Sequence, residues 1–197
     1  MAFIGLNSSW AQVAHLTLQS QPGDFIGQGG TFDITYTPAN SQNFSAQAFI
    51  LIGSPPTPSY LQFIMGTVTG GSDNTYSILQ FATNHLGIPM QPGFYPNAER
   101  APFASAGHPG LDVSFQNRGC NTLTGNFTVL AVTFGANNAI DSFSANFEQH
   151  CEGAAPALFG QFTYDAHAVP EPSTWMLLFS GVGMFLLRRC ARHDRRL

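Results

Sequence analysis

The chain has 197 residues, room for one domain plus targeting segments, and only 9% of them are charged. Eighteen are Phe, twenty are Gly and none is Lys, a makeup that favours β structure over helix. Before Pro170, nine acids against two arginines leave a charge of −7, while from Pro170 on, two acids against five arginines give +3. An acidic body with no basic patch excludes nucleic-acid binding.

Residues 1–11 read as the end of a secretory signal peptide. Ser9 and Ala11 supply small residues at the −3 and −1 positions of a cleavage site. No Lys or Arg precedes them and the apolar part is short, so this reading expects the coding sequence to extend upstream. The competing reading is an ordinary first strand. From His15 onward, short apolar or alternating segments are broken by turn residues. LTLQS leads into the Gly-rich loop QPGDFIGQGG. In TFDITYT, Phe32, Ile34 and Tyr36 face one way and Thr31, Asp33 and Thr35 the other, the period of two of a half-buried strand. FSAQAFILI follows, then the proline-rich turn 54–59. YLQFIMGTV and YSILQFAT flank GGSDN, a strong hairpin signal. Residues 87–110 are rich in Pro and Gly and predict a long ordered loop with at most one short strand. LTGNFTVLAVTF, 123–134, is apolar on both faces in its second half and predicts a central strand. GANN turns the chain into the alternating IDSFSANFEQ, and ALFGQFTYDA closes the body. These segments predict an all-β fold: an antiparallel β-sandwich of about 8–10 strands over residues 12–165, followed by a linker at 166–169.

Several clusters within the body invite a chemical reading. EQHCE brings Glu148, His150, Cys151 and Glu152 together, but neighbours on a strand point to opposite faces. His85, His108 and His150 lack the spacing of a zinc site. Asp24, Asp33, Asp73 and Asp112 have the oxygen chemistry of calcium ligands without an EF-hand or repeat spacing. Gly27, Gly29 and Gly30 imitate a phosphate loop, yet Phe32 stands in the place of the third glycine and a strand follows. No nucleophile elbow is present, and a carboxylate pair for glycoside hydrolysis is a question of geometry. Tyr60, Tyr95 and Phe94 lie on or near loops, where they either stack on sugar rings or plug the core beneath. The expectation is therefore no catalytic residue, no metal and no cofactor.

The tail, 170–197, has three parts in order. Pro170, Glu171 and Pro172 come first. Next is the uncharged run from Trp175 to Leu187, with Leu177, Leu178, Phe179, Val182, Phe185 and Leu186. Last come Arg188, Arg189, Arg192, Arg195 and Arg196. A helix over 173–187 predicts one short transmembrane span. The run from Trp175 covers roughly 20 Å at ~1.5 Å per residue. A hydrocarbon core is about 30 Å thick, so Trp175 at one interface and snorkelling arginines at the other must make up the difference. The basic end, 188–197, stays in the cytoplasm and places the body outside.

This tail resembles the PEP-CTERM sorting signal of Gram-negative bacteria in motif, helix and arginine cluster. The resemblance implies that exosortase, a membrane-embedded cysteine transpeptidase-like enzyme, cleaves near the Pro-Glu-Pro motif. It implies delivery to the cell surface or extracellular matrix and an association with exopolysaccharide. Export also sorts the cysteines. Cys120 and Cys151 lie in the exported body at the start of one strand and the end of the next, so an oxidising compartment pairs them, whereas Cys190 sits among the arginines. A second resemblance rests on RGCNTLTG, FEQHCEG and ALFG, with PGDFIGQGG and GHPGLDVSF ahead of them. These segments resemble a recurrent bacterial exported β-domain of unassigned activity, which implies a bridged sandwich and brings no catalytic residues.

The function expected is that of a non-enzymatic envelope or matrix protein. Its partners are exosortase, the membrane through the C-terminal helix, and extracellular polysaccharide. The rivals are a polysaccharide-acting enzyme and a single-pass membrane protein that keeps its tail.

Overall fold

The computed structural model describes residues 11–51, 57–71 and 73–168. Alternation sets most of its strands. In β1 (Ala11–Ser20), Ala14, Leu16 and Leu18 turn inward while Gln19 faces solvent. β2 (Thr31–Tyr36) and β3 (Asn43–Phe49) follow, then the hairpin of β4 (Tyr60–Gly66) and β5 (Ser77–Ala82) around the GGSDN turn. β6 (Gly93–Arg100) and β7 (Gly110–Phe115) lead into the long hairpin of β8 (Leu123–Phe134) and β9 (Ile140–Cys151), and β10 (Leu158–Ala168) ends the described chain.

All ten strands join one sheet in the order β2-β1-β10-β9-β8-β6-β7-β5-β4-β3. All pairs are antiparallel except β6 and β7, which run parallel through Glu99–Gly110 and Arg100–Leu111. The expected sandwich of two antiparallel sheets is thus corrected to one mixed sheet that is nearly closed into a barrel. The reason lies in the segment read as loop. β6 arises inside that Pro-rich stretch and pairs with both β8 and β7, joining the two halves of the sheet. Its register breaks between Tyr95 and Ala98, at Pro96 and Asn97, and Asn97 has φ of 55°. A proline without an N–H fits such a bulge, and the bulge erases the alternation that would mark a strand in sequence.

One core lies between the halves. Phe63 of β4 meets Phe143 of β9 at 5.3 Å and Phe162 of β10 at 4.7 Å between ring centroids. Phe81 of β5 meets Phe127 of β8 at 5.4 Å and Phe143 at 5.0 Å. Burying such rings supplies most of the driving force, and each good pair adds about 0.5–1.5 kcal/mol beyond its area. The β2 side is tied across by Tyr36, whose hydroxyl bonds Ser77 Oγ at 2.8 Å and donates to Thr75 O at 2.9 Å. Burial pushes the Tyr36 pKa up to about 12, so the phenol stays protonated.

Two further expectations change. β8 is central only in its first half, because its pairing with β6 stops at Val129. Beyond that point Leu130 is exposed, which leaves the apolar second half as an edge. The residues read as a linker, 166–169, are strand through Ala168, which is the register partner of Ala11. The Pro-Glu-Pro motif, the helix over 173–187, the arginine cluster and the signal-peptide residues 1–10 lie outside the described residues. Among the described residues no helix is long and apolar enough to cross a membrane.

Candidate functional site

The segments RGCNTLTG and FEQHCEG join the fold together. In FEQHC, Phe147, Gln149 and Cys151 point inward and are buried. Gln149 lies opposite β7, whose parallel pairing with β6 covers only Gly110 and Leu111. Its side-chain amide takes over from there, accepting from Val113 N at 2.8 Å and donating to Val113 O at 2.9 Å. A primary amide thus stands in for a missing strand, and this is the residue the sequence reading passed over. Buried glutamine is uncommon and a signal of polar pairing. On the outer face of the same strand, Glu148 accepts from Asn126 at 3.1 Å and pairs with His150 at 3.0 Å. Those bonds, His150 first, hold its carboxyl below the usual range. Glu152 caps the turn at β8, accepting from Asn121 N at 2.6 Å and from the Thr122 hydroxyl at 3.0 Å. Cys120 and Cys151 come together with Cα atoms 5.0 Å apart, inside the range a disulfide spans.

The other clusters separate. His150 pairs with Glu148, while His108 lies beside Glu99 at 3.7 Å and its neighbour Gly107 donates to His85 O at 2.9 Å. The four aspartates have different surroundings. Asp24 accepts from Ser20 Oγ at 2.7 Å and Gly27 N at 2.8 Å, which shapes the Gly-rich loop. Asp33 bonds His15 at 2.6 Å, Asp73 lies in the β4–β5 turn, and Asp112 pairs with Arg100 at 3.0 Å. Among the described residues, no three of His, Cys, Asp or Glu gather closely enough to hold a metal. The aromatics divide as well. Tyr95 is buried against Phe127 at 4.8 Å, Tyr60 is half-buried beside Phe49, and Phe94 is 62% exposed.

Asp112 is the most buried acid on an outward position of the sheet. Burial raises its pKa, and Arg100 acts against that rise. Burial, with Asp112 nearby, pushes Tyr60 up to about 12. Arg100 also lies 5.2 Å from the Phe103 ring centroid and donates to Asn121 O at 3.2 Å. A carboxylate held by a guanidinium suits an ion pair that ties β6 to β7.

A groove of about 420 Å³ crosses the outer face of β2, β1, β10 and β9. The strand register builds it as rows. One row runs Asp33, Thr17, Gln161 and Asn146 on adjacent strands. It continues beyond the groove through Thr128 on β8 to the exposed Phe94 on β6. The neighbouring row runs Thr31, Gln19 and Phe159. Phe159 is 37% exposed, and a side chain at Gly160 beside it would point inward onto the Phe147 ring rather than into the groove. Amides, hydroxyls and the exposed Phe159 ring line this surface, together with Leu18, Phe32 and Phe147. Its one acid, Asp33, is matched by His15.

Comparison with curated proteins and with solved structures returns no match. Residues 168–195 match the model of the PEP-CTERM protein-sorting motif, beginning on the last residue of β10. The chain therefore carries a PEP-CTERM sorting signal, which marks it as an exported protein sorted by exosortase.

Proposed function

We propose that the β body is a non-enzymatic protein of the cell surface or extracellular matrix that associates with exopolysaccharide. It is first held in the membrane by its C-terminal segment with the arginines inside. Exosortase then cuts near Pro170–Pro172 and frees the body. The observation that carries this reading is the match at 168–195, where a Pro-Glu-Pro motif, an uncharged run and four of the tail's five arginines follow in order. The non-enzymatic part is supported by the work its polar groups already do. Gln149 bonds β7, Glu152 caps a turn, and the buried acid Asp112 faces a guanidinium rather than a second carboxylate partner. A glycosidase needs two carboxylates flanking a cleft. The export route supplies the oxidising compartment in which Cys120 and Cys151 form their bond.

Mass spectrometry of the mature protein from a host that carries exosortase tests the sorting step. The expected product ends near Pro170 and lacks the arginines. Replacing Pro170 and Pro172 together with Ala leaves the tail attached. A mature wild-type chain that still ends at Leu197 overturns the proposal in favour of a permanently anchored protein.

A further inference from the structure

From the rows on the outer face we infer that the groove over β2, β1, β10 and β9 binds a neutral polysaccharide chain laid across the strands. This rests on the polysaccharide association proposed above and gives it a site and a ligand class. Three observations carry it. First, the groups presented are those that exchange hydrogen bonds with sugar hydroxyls. Gln161, Asn146 and Gln19 each offer a donor and an acceptor, and Thr17 and Thr31 offer hydroxyls. All of these are outward positions, so none is needed to fill the core.

Second, each row includes one exposed ring, Phe94 in the first and Phe159 in the second. Sugar rings have apolar faces that pack on an aromatic ring, and both of these rings are open to solvent on the face that carries the amides. Third, the charge is wrong for an acidic polymer. No Lys or Arg lies in either row, and the body before Pro170 carries −7. An anionic chain is repelled, while a neutral one meets only dipoles.

The length also fits. Four strands at ~4.8 Å spacing make a track of about 14 Å, and the six strands out to Phe94 make about 24 Å. A ligand lying across the strands meets equivalent side chains at each step, which suits a repeating polymer better than a small molecule.

Affinity electrophoresis of the full chain in mild detergent tests this, with gels containing neutral glucan, neutral galactomannan or acidic alginate. At least one neutral polymer is expected to slow the protein, and alginate is not. Phe159→Ala and Gln161→Ala each weaken that retardation about tenfold, as expected for loss of a stacked ring or a paired amide. Phe103→Ala, which removes an exposed ring in the short turn after β6, leaves it unchanged. Circular dichroism and the thermal midpoint check that each variant is folded. If a neutral polymer slows wild type and the folded groove variants equally, the groove assignment fails while the polysaccharide association stands. Equal or stronger retardation by alginate overturns the neutral ligand class. No retardation by any of the three overturns the polysaccharide association and the groove with it.

Discussion

Gln149 shows how much of this fold can hang on one polar side chain. Its amide satisfies both backbone groups of Val113 in a fully buried place. Gln149→Ala strands a donor and an acceptor, and the expected loss is about 2–4 kcal/mol in urea unfolding. Gln149→Glu keeps the acceptor for Val113 N and should cost less if it is protonated. Acid acts on other residues. Hydrogen bonds hold Glu99, Glu148 and Glu152 below the usual glutamate range, with Ser105 N, His150 and Asn121 N as the leading donors. Folded-state values that are depressed stabilise fully above the unfolded value, about 4.3, and that contribution is lost as pH falls through the lower folded values. The thermal midpoint should therefore drop below about pH 4, and less steeply in Glu148→Gln. Asp112 has the opposite sign, because burial raises its value. Its ionised form opposes folding, so wild type should gain on Asp112→Asn as pH is lowered through that raised value, in paired thermal scans.

At the level of elements, the β8–β9 hairpin is the most constrained part of the sheet. A Cβ on Gly125 would run into the backbone carbonyl of Glu148, whereas one on Gly160 meets the Phe147 ring. A carbonyl in a paired strand has nowhere to go. Gly125→Ala should cost about 1–3 kcal/mol, measured by chemical denaturation, and more than Gly160→Ala if the ring can shift. The two cysteines close this hairpin over a sequence separation of 31. Their bond is expected to be worth roughly 3–4 kcal/mol in the chain-entropy picture. Thiol labelling of the exported protein should find neither free, and reductant should lower the midpoint. The hairpins were legible because TFDITYT, IDSFSANFEQ and the GGSDN turn state their alternation and their reversal locally. β6 was legible only as one short strand allowed for within a long loop, since Pro96 and the positive φ of Asn97 break the period inside it. Nor was the end of β8, where apolar residues on both faces read as central although their neighbour strand has already stopped.

Over the whole molecule, legibility depended on distance along the chain. The sorting signal is contiguous, so motif, run and arginines could be read together. The groove draws on residues from Thr17 to Gln161, and only the strand register brings them into rows. Single-sheet closure was hidden for the same reason, because it depends on β6 reaching both β8 and β7. One piece of that register has a mechanical meaning. Ala11 and Ala168 sit on the same rung of β1 and β10, so everything upstream and everything toward the sorting motif leaves from one pole. The loop 21–30 caps the other end of β1, roughly 30 Å off at ~3.3 Å per residue. Opposed pulls on the two segments are thus applied at a single rung, across the β1–β10 ladder, and peel its rungs one by one rather than loading them together in shear. A single-molecule stretch between Ala11 and Ala168 should therefore open the β1–β10 seam stepwise at low force, so the pole that bears the tail is the weak end of the body.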